Sequence, residues 1–348
     1  MKRIVCLPGD GIGREVAHEA MRVLHAIDPA IIIDEGLIGA AAIDATGEPL
    51  PAATLEQCRH ADGIFVGAVG DPRYGPDSPQ RPEAGLLALR RELQLFANLR
   101  PVRPFAALAD ASPIRADRLA DVNLLIVREL TGGIYFGDKR EGDDAAEDAC
   151  RYTADEVARI THVAIDLARQ RRGRITHIDK ANVLATSRLW RRTVTRLCAA
   201  DAPDIALDHM LVDAAAMHLI TRPAAFDVVL TDNLFGDILA DECAVLAGSL
   251  GMLPSVSLGV DGAVLVEPVH GSAPDIAGRG IANPSAAILC VAELVRHAFG
   301  WHDAAARIEH AVEATIDAGL RTADIAVRGV APVGTTAFTD AVLTRLAN

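Results

Sequence analysis

Through its first hundred residues this chain alternates short apolar runs with helical stretches, an alternation that confines it to the α/β class. Ile4 to Leu7, Ile31 to Asp34 and Gly63 to Val66 have the composition of buried strands, and Glu15 to Ile27 reads as a helix. Gly9-Asp10-Gly11-Ile12-Gly13 follows the first strand, with Asp34 and Glu35 about 20 residues on, which invites a dinucleotide-fold reading. The spacing is G-x-G-x-G, however, and a tight turn needing positive φ accounts for the glycines equally well. At 348 residues the chain is long for one domain. Two lobes are expected, with a ligand cleft between them as the place for chemistry.

A net charge of -13 excludes nucleic acid or an anionic membrane as the main partner, because phosphate surfaces demand a basic face. No run approaches the length of a membrane span, and Met1-Lys2-Arg3 before a four-residue apolar run is too short for a signal segment, so a cytoplasmic protein is expected. Cys6, Cys58, Cys150, Cys198, Cys243 and Cys290 are scattered without a C-x-x-C pair and read as buried thiols. Gly137 to Asp144, acid-rich and without apolar period, reads as a solvated loop or protruding arm.

Chemistry gathers in two places. Asp227 to Thr231 has strand composition, Gly236 breaks the pattern, and Asp237 and Asp241 then lie four apart, so a helix presents both on one face. With Asp213 upstream they suggest a site for a hard divalent cation, although acids at a helix start also complement its dipole. In Glu83 to Phe96, Leu86, Leu89, Leu93 and Phe96 fall at helical intervals as a core stripe, while Glu83, Leu87, Arg90 and Gln94 form a second face. Leu beside Arg suits an anionic ligand with a carboxylate and a branched alkyl arm. Arg100, Arg128 and Lys180 add cations, and Arg128 ends an apolar strand, Leu124 to Val127, where a charge needs a partner. Tyr135 offers a hydroxyl seven residues on.

Leu89-Arg90, Asn98-Leu99-Arg100-Pro101, Val127 to Gly137, Asp179 to Leu184, Asn233 to Leu239 and Glu267 to Gly278, in collinear order, resemble the β-decarboxylating dehydrogenases. That family oxidises 2-hydroxy acids and expels the neighbouring carboxylate. The resemblance implies a two-lobed, non-Rossmann α/β fold with a central mixed sheet flanked by helices. Residues 1–97 and 249–348 would form a cofactor-binding lobe, and 98–248 a dimerisation and metal/substrate lobe.

It further implies that Arg90, Arg100 and Arg128 hold the malate-type carboxylates and that Leu86 and Leu87 receive a branched alkyl group, with Asp213 also facing substrate. Asp237 and Asp241, joined by Asp213 of a second subunit, would hold Mg2+ or Mn2+. Lys180, also from the second subunit of a homodimer with shared active sites, would take the hydroxyl proton, its pKa lowered by cationic neighbours, and Tyr135 would protonate the enolate left by decarboxylation. Glu83 would lie towards the nicotinamide. His270, Gly271, Ser272, Ala273, Asp275, Ile276 and Asn283 would wrap the adenosine, with Asp275 accepting from the ribose hydroxyls. An Asp there repels a 2′-phosphate, so NAD is expected over NADP. Asp232 and the stretch Ala323 to Val333 depart most from the family pattern. Alternatives within the family are D-malate or tartrate oxidation, and outside catalysis a regulatory subunit, against which the intact Lys180, Tyr135 and three aspartates count.

Overall fold

The computed structural model describes every residue except Pro76, Arg328 and Asn348, so one position of the divergent stretch 323–333 lies outside the described residues. The chain divides into two compact units, Met1–Leu95 with Gly248–Asn348, and Phe96–Ala247.

The first unit begins β1 (Arg3–Gly9), α1 (Gly13–Ile27), β2 (Ile32–Glu35), α2 (Ala40–Thr46), α3 (Ala52–Arg59), β3 (Gly63–Ala68) and α4 (Pro82–Glu92). The second unit carries β4 (Leu95–Val102), α5 (Ala116–Leu119), β5 (Leu124–Glu129), β6 (Lys139–Glu141), β7 (Ala146–Asp148), α6 (Ala154–Arg169), β8 (Arg174–Asp179), α7 (Ala185–Asp201), β9 (Ala206–Leu211), α8 (Val212–Thr221), β10 (Val228–Thr231) and α9 (Asn233–Ala247). The chain then completes the first unit with β11 (Pro254–Gly259), β12 (Val264–Pro268), α10 (Ser285–Phe299), α11 (His302–Asp317) and α12 (Thr335–Leu346).

In the first unit the strand order is β2-β1-β3-β12-β11, parallel except for β11. Val5, Leu7, Ile64, Val66 and Leu265 face one core cluster, which Leu89 of α4 also enters. α10 is buried continuously from Ser285 to Val295, as a helix covered on all sides must be apolar around its circumference. In the second unit the order is β4-β5-β10-β8-β9, parallel except for β4. Leu124, Ile126 and Val229 of this sheet pack with Leu239 and Cys243 of α9. A capping box fixes the start of α6: Glu156 N–H donates to Thr153 Oγ1 at 3.2 Å and Thr153 N–H to Glu156 Oε2 at 2.7 Å.

Two local expectations need correction, and a third, the exposed acidic arm, is refined. The helical stripe does not run to Phe96: α4 stops at Glu92, Gln94 adopts φ 48°, and Leu95 and Phe96 already belong to β4. Both are buried, and an apolar run covered on both faces carries no period that distinguishes strand from helix. Gln94 therefore leaves the face of Glu83, Leu87 and Arg90. Cys150 is exposed, while the other five cysteines are buried. The acidic arm is a short antiparallel hairpin, β6 with β7, exposed along both strands.

Candidate active site

In the second unit α9 organises the chemistry. Asp232 caps it, its Oδ1 accepting from Phe235 N–H at 2.9 Å. Arg128, at the end of β5 and 4% exposed, lies along the helix: Nε and Nη2 donate to Asn233 Oδ1 at 3.1 and 2.8 Å, and Nη1 donates to Asp237. The route exists because position 236 is glycine; an added Cβ would stand 2.6 Å from Arg128 Cγ. Tyr135 OH donates to Asp237 Oδ2 at 2.9 Å, and Arg100 Nη1 to Asp241 Oδ1 at 2.7 Å. Arg100, Arg128, Tyr135, Asp237 and Asp241 thus form one cluster. Lost hydration, and then the hydrogen bond to Asp237, raise the Tyr135 pKa, so the phenol keeps its proton.

A second cluster forms at the ends of β8 and β9. Lys180 Nζ donates to Asp213 Oδ1 at 2.7 Å, which holds the Asp213 carboxyl below its usual range. Lys180 therefore faces an acid of its own chain. Its turn is fixed by Asp179, 2% exposed, which accepts from Ala181 N–H at 3.0 Å and from Arg191 Nε and Nη2 at 2.8 and 2.7 Å. Lys180 and Asp213 pair with each other and not with Asp237 or Asp241.

Among the described residues, the group of potential ligands converging within 4.8 Å is His177, Asp179 and His209, not the three aspartates. The Arg191 fork already neutralises Asp179, and burial pushes His177 down to about 3, so both histidines act as a neutral tie between β8 and β9, Nδ1 to Nδ1 at 2.9 Å. Asp237 and Asp241 remain suited to a hard cation by donor chemistry: two carboxylates on one face of α9, their side chains 35% and 61% exposed.

In the first unit Arg90 Nη2 donates to Glu267 Oε1 at 2.6 Å, with side chains 15% and 13% exposed. Leu86 packs against the core, and Leu87, three residues before Arg90, is 46% exposed. Glu83 is exposed, and its Oε1 and Ser272 Oγ both lie near Gly70. The glycine loop after β1 is explained by packing and not by a phosphate: Gly11 has φ 52°, an added Cβ would lie 2.0 Å from Ser272 O, and Ile12 N–H donates to that same oxygen at 2.8 Å. Asp10 takes three backbone amides, of Ala40, Ala41 and Gly70, at 2.9 Å each.

Segment 270–276 includes Ala273 at φ 38° and an exposed Asp275. His270 Nδ1 donates to Gly271 O at 3.0 Å, while its buried Nε2 has no hydrogen-bond partner among the described residues. Burial lowers the pKa of this ring, so Nε2 is an unfilled acceptor, which fits a segment that receives a base or sugar. Asn283 is engaged in the fold: Oδ1 accepts from Ser285 N–H at the start of α10, and Nδ2 donates to Asp324 Oδ2, both at 3.0 Å. Asp324 also accepts from Ser249 and Thr322, each at 2.6 Å. It lies in the divergent stretch, and no local motif marked it. Asp179 and Glu267 stood in quoted motifs without a role; their side-chain partners are the signal that was missing.

Asp232 gives a prediction. Its carboxyl is pushed up to about 6, first by lost hydration, with the Phe235 N–H opposing and Glu129 adding to the rise. The folded pKa lies above the unfolded value, so the folded chain holds the extra proton between about pH 4 and 6 and stability falls as pH rises through that window. Asp232→Asn keeps the cap and removes the titration. It is expected to be more stable than the parent by about 1–2 kcal/mol at pH 8 and nearly equal to it at pH 4 in urea melts. An equal offset at both pH values would refute this.

The model of the isocitrate/isopropylmalate dehydrogenase family matches residues 3–342. A 3-isopropylmalate dehydrogenase of Halalkalibacterium halodurans is 52% identical over 98% of this chain and 97% of its own, and one of Salinibacter ruber is 53% identical over 99% and 95%. Among solved structures, isocitrate dehydrogenase from Methylococcus capsulatus superposes with a TM-score of 0.90 at 38% identity, covering 100% of both chains. A β-decarboxylating dehydrogenase from Thermococcus kodakarensis gives 0.82 at 34%, covering 100% of this chain and 96% of its own. With the family's sequence matched almost from end to end and its fold reproduced, this chain belongs to the isocitrate/isopropylmalate dehydrogenase family.

Proposed function

We propose that the chain oxidises and decarboxylates (2R,3S)-3-isopropylmalate to 4-methyl-2-oxopentanoate (2-oxoisocaproate) and CO2, using NAD and Mg2+ or Mn2+, as a step of leucine biosynthesis. The observation that carries this reading is the outer face of α4, where the half-exposed Leu87 stands one turn from an Arg90 held by Glu267. A guanidinium beside an aliphatic surface suits an alkylmalate; a third carboxylate placed against Leu86 and Leu87 would be desolvated without donors. The names of the half-identical relatives support the same substrate.

In this reading Arg90, Arg100 and Arg128 hold the substrate carboxylates, and Asp237 and Asp241, with Asp213 of a partner subunit, hold the divalent cation. When bound, the cation supplies Lewis acidity towards the substrate hydroxyl, and NAD accepts the hydride. Lys180 of the partner subunit takes the hydroxyl proton. Tyr135, whose raised pKa keeps it protonated, delivers its proton to the carbon that has lost CO2. Asp275, exposed and without a charged partner among the described residues, accepts from the ribose hydroxyls, which favours NAD over NADP. Glu83, His270, Gly271, Ser272, Ala273, Ile276 and Asn283 complete the cofactor's surroundings.

The test is the rate of NAD reduction with Mg2+ across 3-isopropylmalate, D-malate, tartrate and isocitrate. 3-Isopropylmalate is expected to give the highest kcat/KM; another substrate ahead of it would overturn the specificity. Leu87→Ser should then lower kcat/KM for 3-isopropylmalate about tenfold, the scale of an apolar contact, and leave D-malate nearly unchanged. Equal losses for both would remove Leu87 from the alkyl site.

A further inference from the structure

Within the first unit a cavity of about 510 Å³ opens between α1 and the carboxyl ends of β1 and β2. Its wall on α1 is one stripe, Arg14, Ala17, His18 and Met21, at the i, i+3, i+4, i+7 spacing of a single helix face. On β2 it takes alternate residues, Ile33 and Glu35, which share one face of the strand. Cys6 of β1, 4% exposed, lines it between them, and burial, then the nearby Glu35 charge, pushes that thiol up to about 12, so this surface is uncharged.

The charges at the cavity are left open in a region where neighbouring ones are engaged. Glu19 and Arg22 of α1 pair with each other, Glu15 accepts backbone amides at Gly278 and Gly280, and Asp34 of β2 pairs with Arg3. The side chains of Glu35 and His18, by contrast, make no hydrogen bond or ion pair among the described residues. Arg14 makes a long bond, Nε to Gly9 O at 3.5 Å, and its charge helps to lower the Asp44 carboxyl, but among the described residues it forms no ion pair. A cation and an anion thus stand around one apolar surface without neutralising each other.

We infer that this cavity binds an α-amino acid zwitterion with an aliphatic side chain, its carboxylate on Arg14 and His18, its ammonium on Glu35, and its side chain on Met21, Ile33 and Cys6. A dianion would be repelled by Glu35, a cation would leave Arg14 unanswered, and a neutral apolar molecule would desolvate both charges without pairing either. The Pro8–Gly9 wall runs on into Ile12, whose amide donates to Ser272 O at 2.8 Å, so one hydrogen bond links the cavity wall to segment 270–276.

The test is calorimetric titration of the full-length protein with L-leucine, with 4-methylpentanoate, which lacks the ammonium, and with 3-methylbutylamine, which lacks the carboxylate. Leucine should bind saturably at one site per chain, and each analogue about tenfold or more weaker, the factor a lost charged hydrogen bond implies. Glu35→Gln and Arg14→Gln should each weaken leucine by a similar factor while leaving the melting temperature and the rate with 3-isopropylmalate unchanged. No saturable heat at millimolar leucine, the acid binding as tightly as leucine, unaltered binding by Glu35→Gln, or displacement of leucine by 3-isopropylmalate would each overturn the assignment. Because binding is read without turnover, its failure and failure of the proposed reaction are distinguishable.

Discussion

Asp237→Ala is expected to fold and to lose metal-dependent turnover, with kcat falling about a thousandfold or more, the scale of removing a directed electrostatic contact from a reacting centre. The residue is the hub of its cluster: one oxygen meets Arg128, the other accepts from Tyr135 OH at 2.9 Å. Its removal takes from the buried Arg128 the carboxylate that Nη1 meets, and a charged donor that loses its acceptor costs about 1–3 kcal/mol, a destabilisation readable in urea. Asp237→Asn separates the two roles. The amide oxygen can still accept from Tyr135 or Arg128, so stability should recover most of the way, while a neutral amide is a poor ligand for a hard cation and turnover should stay low. The measurement is initial rate against Mg2+ concentration for each variant beside its urea midpoint. Parent-like half-saturation by Mg2+ in Asp237→Ala would remove the residue from the metal set.

How far the sequence could be read depended on how local each cause was. The strand at β5 follows from composition over a few residues, and so does the placing of Asp237 and Asp241 on one helix face, although α9 starts at Asn233 and runs through Gly236, where a break and a helix start at Asp237 were expected. Arg128 was visible as a charge ending an apolar strand, but its partners Asn233 and Asp237 lie more than 100 positions away, and no periodicity encodes that distance. The same holds for Lys180 and Asp213, 33 residues apart and joined because β8 and β9 are neighbours. α4 misled in the opposite way: its stripe ran past Glu92 because Leu95 and Phe96 are apolar for the sake of a strand buried on both faces, while Leu93, at the helix's C-cap, packs against the core. Asp324 had no signal at all, since its partners Ser249, Asn283 and Thr322 converge only in the folded unit.

Mixing two inactive variants should restore activity. Lys180 and Asp213 form one pair and Asp237, Asp241, Arg100, Arg128 and Tyr135 form another cluster, so each chain carries two groupings that hold together internally. If one chain's pair completes the other chain's cluster, a heterodimer of Lys180→Ala and Asp237→Ala places both lesions in one site and leaves its second site intact. Lys180→Ala alone is expected to lower kcat by about 10²–10⁴, the usual contribution of a general base. After denaturation and joint refolding at equal concentration, half the dimers are mixed and half their sites are whole, so activity should return to about a quarter of the parent's, as two-fold symmetry requires. If Lys180 served the cluster of its own chain, every site in the mixture would carry one lesion, and the refolded sample would be no more active than the sum of its parts. The arrangement also sets a concentration dependence: dilution that separates the subunits should abolish turnover while each chain keeps its fold, and activity that persists in a proven monomer would refute a shared site.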